Sequence, residues 1–240
     1  MGWPLRWSDR GPGTPPAAHT VDPQHRVHSL HAYFIRRGDH GEPIRFEVDR
    51  LRNGRSFVTR AVVARQSTGA ILNMSASFQV DESGPEIDAA EMPMVPSHDA
   101  VADDSWIPFF DRRIVVGEEQ RNGTAAMWFS MRGRPLDDPV ARACALAYCS
   151  DDLPADAVRS RRLQAEPSAT DAEWFGTSLD HAIWFHRPLA SSRWYLHHFT
   201  CQGLLGSRGL ATGHVFDADG TLLATVAQEV LMRRRSPASR

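Results

Sequence analysis

Ser178 and Gln228 are polar side chains in apolar strand patterns, and Asp151 ends an apolar helical one. Gln228 alternates with Leu222, Ala224 and Val226 and shares their face on a strand. Burying an amide without a partner costs roughly 1–3 kcal/mol, so a buried Gln needs something to bind. Its amide both donates and accepts, which suits holding a water. Ser178 puts a hydroxyl at the head of the run Ser178-Leu-Asp-His-Ala-Ile-Trp-Phe-His-Arg-Pro188. Asp151 closes an alanine-rich helical pattern. A carboxylate there opposes the helix dipole by about 0.3–1 kcal/mol. Dipole and partial burial would both raise its pKa and its basicity. Carboxylate, hydroxyl and amide together can hold and deprotonate a water. Each also has a plainer reading: a loop Asp beside Asp152, a strand-end Ser, a Gln bonded to strand backbone or solvent.

Other groupings point less clearly to chemistry. His181 and His186 are five residues apart on a strand and face opposite sides, which does not suit one metal; no metal is expected. His197 and His198 alternate in the same way. Cys201 lies near His198, but no acid is placed to orient such a pair. All 27 basic residues are Arg, which excludes Schiff-base and P-loop lysine mechanisms. A net charge of −2 gives no reason to expect nucleic acid or an acidic membrane as partner. No window of about 18 apolar residues or apolar signal core occurs, so no membrane span is expected. Three cysteines make no disulfide framework and point to a reducing, cytoplasmic setting.

The elements that must position these residues follow from periodicity and turns. At 240 residues, 42% of them hydrophobic, the chain can bury one large core or two joined halves. Residues 1–24 read as irregular. Alternation and turn residues predict strands at 27–36, 44–51, 57–66 and 70–80. An acidic, Pro-rich linker follows over 81–113, its far end pinned by Trp106, Phe109 and Phe110. Strands at 114–116 and 125–132 precede a helix over 137–151, capped by Asp137 or Asp138 with Pro139 in its first turn. Its Ala/Cys surface suits a helix wrapped by a curved sheet. A polar loop is expected over 153–173, then strands at 177–186, 194–202, 207–216 and 222–232. The two sets of four strands echo each other, as an internal duplication would. The expected organisation is an irregular segment 1–24, a first repeat 25–80, the linker, a second repeat 114–233 and a solvated tail 234–240.

Several long motifs carry a family resemblance. His28-Ser-Leu-His-Ala-Tyr-Phe-Ile-Arg-Arg-Gly-Asp39, Arg52-Asn-Gly-Arg-Ser-Phe57, Met74-Ser-Ala-Ser-Phe-Gln79, the Ser178–Pro188 run and Val226-Ala-Gln-Glu-Val-Leu-Met-Arg233 occur in order. From about Thr20 to Arg233 the chain resembles the acyl-CoA thioesterase II (TesB-like) family. That resemblance implies an α+β double hotdog, two antiparallel sheets each curled round a helix in one chain. It implies hydrolysis of acyl-CoA to CoA and a carboxylic acid by activated water, without metal, cofactor or covalent intermediate. The family's catalytic Asp, Thr or Ser, and Gln fall on Asp151, Ser178 and Gln228. Thr177 is adjacent but would point to the opposite face. A backbone N–H near the helix would stabilise the oxyanion.

Acyl-CoA is then the expected partner, and exposed sheet edges favour a homo-oligomer, a dimer or larger. Arg187 and Arg208 could meet a CoA phosphate or simply be solvated. Trp184, Phe185 and Trp194 read as core or acyl-pocket wall. The chain departs from the family at its start. Only Ala17-Ala-His-Thr-Val-Asp22 resembles the end of the family's first helix, so the first hotdog is expected to be incomplete, as a displaced start or frame would leave it. The alternative reading is a non-catalytic or degenerate hotdog protein that binds acyl thioesters. A hotdog hydratase would want an acid/His pair across the pocket, which no motif places.

Overall fold

The computed structural model describes residues 7–8, 11–12, 17–106, 110–117, 122–132, 138–168, 173–189 and 194–235. Two short strands, β1 (Trp7–Ser8) and β2 (Gly11–Pro12), pair with each other. The first half then lays down β3 (His25–Phe34), β4 (Arg45–Asn53), β5 (Phe57–Gln66) and β6 (Gly69–Val80). The second half has β7 (Phe110–Val115), β8 (Thr124–Met131), helices α1 (Pro139–Ser150) and α2 (Pro154–Ala165), β9 (Trp174–Ser178), β10 (Asp180–Phe185), β11 (Tyr195–Leu205), β12 (Arg208–Asp217) and β13 (Leu222–Arg234). Strands β3 to β13 form one antiparallel sheet of eleven strands, in the order β4-β5-β6-β3-β10-β13-β12-β11-β8-β7, with β9 beside β13. The two expected sheets are thus continuous: β3 pairs with β10, Leu30 opposite Ile183, and welds the halves edge to edge. This is the α+β double hotdog.

The second half wraps α2, which packs on β8, β9, β11, β12 and β13. That corrects the expected polar loop at 153–173. Three arginines, Asp156 and Ser160 made the segment look solvated, but Leu153, Pro154, Ala157, Val158 and Arg162 bury one side. Gly209 on β12 permits the close approach, since a Cβ there would lie 2.3 Å from Val158 Cγ1. The alanine-rich α1 instead reaches β3 of the first half. Asp138 caps it, accepting from the N–H groups of Val140 and Ala141 at 3.1 and 3.3 Å. Asp137, the other expected cap, lies outside the described residues.

Among the described residues no α-helix lies in the first half, where the 3₁₀ turn Ala18–Thr20 precedes β3. Arg60, pointing inward from β5 and only 2% exposed, clamps that turn. All five of its donors are used: on Thr20 Oγ1 and O, the Arg52 and Thr59 carbonyls, and Asn53 Oδ1, at 2.7–2.9 Å. The segment after β6 lies over the outer face of the second half. There Met92, Val95 and Val101 pack on Trp128, Leu196, Phe216 and Leu222, and Trp128 Nε1 donates to the Pro96 carbonyl at 2.8 Å. Of the three aromatics expected to pin the linker, Phe110 is buried on β7, Trp106 is 62% exposed, and Phe109 lies outside the described residues.

Candidate active site

The chain bends between its two helices. Asp151 is the C-cap of α1, and Leu153 is already the N-cap of α2. The dipole expected to oppose Asp151 is therefore offset by a second helix N-terminus two residues on. Asp152 turns away to Arg112, at 2.6 Å. Asp151 turns inward, where Ser178 Oγ donates to its Oδ1 at 2.8 Å. Gln228 Nε2 donates to Ser178 Oγ, also at 2.8 Å. All three expected residues are thus brought together.

Gln228 is fully buried on β13 among Ala224, Val226, Val230 and Met232. Leu222, expected on the same face, instead joins the outer cluster, because the β12–β13 register shifts at Phe216. Ser178 pairs with Val230, an inward residue, whereas Thr177 pairs with Leu231 on the other face.

The group behind Gln228 was not anticipated. His181 Nδ1 lies 2.5 Å from Gln228 Oε1, and its Nε2 lies 2.9 Å from Ser150 Oγ. His181 is fully buried. Ser178 and His181 are three residues apart, so regular alternation sends them to opposite faces. One extra residue between β9 and β10 reverses this. Ser178 stands opposite Val230, but Ala182 stands opposite Ala227, so four steps on one strand match three on the other. At this bulge the Leu179 carbonyl accepts from Phe34 N–H of β3 at 2.9 Å. The Asp180 carboxylate takes Glu229 N–H at 2.6 Å. The Asp-His dipeptide was a visible signal. Its meaning depended on a bulge that alternation does not reveal.

Burial divides the site into a deep and a shallow end. Ser150, His181 and Gln228 are fully buried, while Ser178 and Asp151 are only half-buried and open toward solvent. Burial raises the Asp151 carboxyl above its ordinary value, against the opposing pull of His181, Ser178 and Gln228. Burial likewise pushes the His181 imidazole down, with Asp151 and Gln228 pulling the other way. Deeper still, burial and then His181 lower His197 to about 3, and its ring rests on Phe129 at 4.2 Å. A raised carboxyl at the open end has the properties of a general base.

The other groupings resolve differently. His186 faces away from His181 and meets Thr225 Oγ1 at 2.8 Å. Burial raises the thiol of Cys201, and it raises that of Cys144 to about 12, so neither is prepared as a thiolate. Arg187 binds Asp88 at 2.8 Å and Glu86 at 3.4 Å, and Arg208 lies 3.4 Å from Glu229. Trp184 is 37% exposed on the outer face, edge-on to His31, and so lines no interior pocket. Trp194 stacks on His98 in the outer cluster, and Phe185 packs against the core.

Two family models match the chain: acyl-CoA thioesterase N-terminal domain over residues 16–79 and acyl-CoA thioesterase C-terminal domain over residues 85–232. The chain is 34% identical over 243 residues to acyl-CoA thioesterase 2 of Haemophilus influenzae, covering 90% of this chain and 83% of that protein. The chain belongs to the acyl-CoA thioesterase II family. Acyl-coenzyme A thioesterase 8 of Mus musculus is 32% identical, over 93% of this chain and 78% of that protein. The crystal structure of acyl-CoA thioesterase II TesB2 from Mycobacterium marinum superposes with a TM-score of 0.78 at 37% identity, covering 92% of this chain and 85% of that one. A hot dog fold protein from Alicyclobacillus acidocaldarius shares the fold at 20% identity, with a TM-score of 0.71 over 88% of this chain and 80% of that one. No helix of the described residues is long and apolar enough to cross a membrane.

Proposed function

We propose that this chain hydrolyses acyl-CoA thioesters with a water held and deprotonated at Asp151, Ser178 and Gln228. Family membership supports the reaction, and the continuous contact from a raised carboxyl through a hydroxyl to an amide supports the site. Water binds at the open end, against Asp151 and Ser178. Asp151 takes a proton as the water oxygen attacks the thioester carbonyl carbon. A backbone N–H beside the helix end receives the oxyanion. The C–S bond then breaks, the acid forms, and the proton on Asp151 passes to the departing thiolate. His181 lies behind Gln228 with no exposed surface, which argues against the acid/His pair of a hydratase. On this reading, 25–80 and 114–233 are the two repeats and 81–113 joins them. The first repeat is incomplete and the second holds the chemistry. The free cysteines suit a reducing, cytoplasmic setting, and the outer strands β4 and β7 offer edges for a homo-oligomer.

The test is thiol release from acyl-CoAs of graded chain length. Asp151→Asn should cut kcat by a thousandfold or more, on the order of the loss when a general base is removed. Full activity in that variant would overturn the assignment. Because the base works ionised, kcat/KM should rise with pH through the Asp151 pKa, above the ordinary Asp value of about 3.9. A raised carboxyl contributes stability at acid pH that is lost as pH climbs from the unfolded pKa through the folded one. Asp151→Asn should therefore melt no lower than the parent at neutral pH.

A further inference from the structure

The proton positions along the buried contacts fix a direction. An ionised Asp151 can only accept, so the Ser178 hydroxyl donates to it. Ser178 oxygen is then free to accept from Gln228 Nε2. That turns Gln228 Oε1 inward, where it needs a donor, and His181 Nδ1 is the atom it meets. His181 must carry its proton on Nδ1. Being neutral, it leaves Nε2 as an acceptor, and Ser150 Oγ at 2.9 Å supplies the proton. Ser150 Oγ also donates toward the Ala147 carbonyl at 3.1 Å, so its single proton is shared between that carbonyl and His181 Nε2 at the end of α1. Four hydrogen bonds thus run the same way, from Ser150 through His181, Gln228 and Ser178 to Asp151.

Resting on the thioesterase reading above, we infer that His181, with Ser150 behind it, is a positioning residue that fixes the rotation of the Gln228 amide. The need for one is physical. The two ends of an amide differ by little in shape, and nothing in packing distinguishes oxygen from nitrogen. If the Gln228 amide turned over, Oε1 would face the Ser178 oxygen and the Asp151 carboxylate, and Nε2 would face an imidazole N–H. Like poles would then meet at both ends. The His181 Nδ1–H makes the productive orientation the one in which every group in the chain is satisfied. His181 touches neither water nor thioester, since it has no exposed surface and Gln228 stands between. The charged or titratable groups facing it are Asp151, Asp180 and His197.

The experiment combines kinetics with one spectroscopic observation. His181→Leu should lower kcat tenfold to a hundredfold with KM within about twofold, the scale seen when a group orienting a catalytic ligand is removed. His181→Asn, whose side-chain N–H can take the place of Nδ1–H, should recover most of that loss. Combining His181→Leu with Gln228→Ala should cost no more than Gln228→Ala alone, because His181 acts only through that amide. Multiplied losses in the double variant, or no rescue by Asn, would overturn the inference. Should the buried Leu variant fail to fold, Ser150→Ala removes one hydroxyl only and should still slow kcat severalfold at unchanged KM. Long-range nitrogen–proton correlation on histidine-labelled protein should find His181 in the Nδ1–H form, and an Nε2–H form refutes the assigned direction without any turnover measurement. Loss of activity in Asp151→Asn beside full activity in both His181→Leu and Ser150→Ala would defeat this inference and leave the thioesterase reading standing. Full activity in Asp151→Asn would defeat that reading instead.

Discussion

The two halves of the sheet share a topology and differ in what they bury. In the second half the inward faces of β10 and β13 carry His181 and Gln228, which connect to Ser178 and Asp151. In the first half, β3 and β6 turn Leu30, Ala32, Ala76 and Phe78 inward. The echo between the repeats even includes a glutamine, but Gln79 faces outward and its amide reaches the exposed Glu82. Register decides this: Gln79 lies one step from the inward Phe78, and one step on a strand changes the face. Among the described residues of the first half, the one large buried polar group is Arg60, and its donors are all taken by Thr20, Asn53 and the Arg52 and Thr59 carbonyls. The same topology thus accommodates either interior, and in the proposed function a few side chains of the second half supply the chemistry.

Five substitutions can break or sharpen this contrast. Gln228→Ala should have the largest effect here, a loss of roughly a hundredfold to a thousandfold in kcat, as for removal of one preorganised donor. Ser178→Ala should cost about tenfold or more, while Ser178→Thr, which keeps the hydroxyl, should stay within severalfold of the parent. Steady-state assays on one saturating acyl-CoA read both, and an Ala variant as active as Thr would remove Ser178 from the chemistry. In the first half, Arg60→Met should lower stability by about 3 kcal/mol, since it leaves several buried acceptors unmet. Its kcat per folded molecule should be unchanged, with urea unfolding as the measure. A large fall in kcat at intact fold would mean the first half shapes the site directly. Gln79→Ala should alter neither Tm nor turnover detectably, and any sizeable effect would spoil the contrast between the two glutamines.

Most of this was legible in the sequence, and each failure has a physical cause. Strand positions followed alternation: β5, β6, β12 and β13 fall within two residues of their expected ends. Asp151, Ser178 and Gln228, singled out by the family resemblance, lie in hydrogen-bonded contact. Alternation assumes an uninterrupted ladder, and it failed where the ladder is interrupted. The bulge at Leu179–Asp180 hid His181, and the shift at Phe216 misplaced Leu222. The polar reading of 153–173 failed for another reason. A buried arginine such as Arg162, stacked on Trp174 at 4.8 Å, counts as solvated in any composition-based reading. Ser150 was invisible because a serine in the last turn of a helix carries no signature until a histidine is found beside it.

Ser150 and Asp151 are neighbours in the chain, and this has a mechanical consequence. The hydrogen-bonded path leaves α1 at Ser150, crosses β10 and β13, and returns to the same helix end at Asp151. Closed by one peptide bond, it is a loop with a single hinge. Shifting the end of α1 strains both of its terminal contacts together, so the site should be intact or dismantled as a unit. The helix that sets this hinge rests on β3, a strand of the first half, which contributes none of the three proposed site residues. A substitution on β3 beneath α1, unlike one at Arg60 on β5, should therefore open or tighten the loop without touching any of its members.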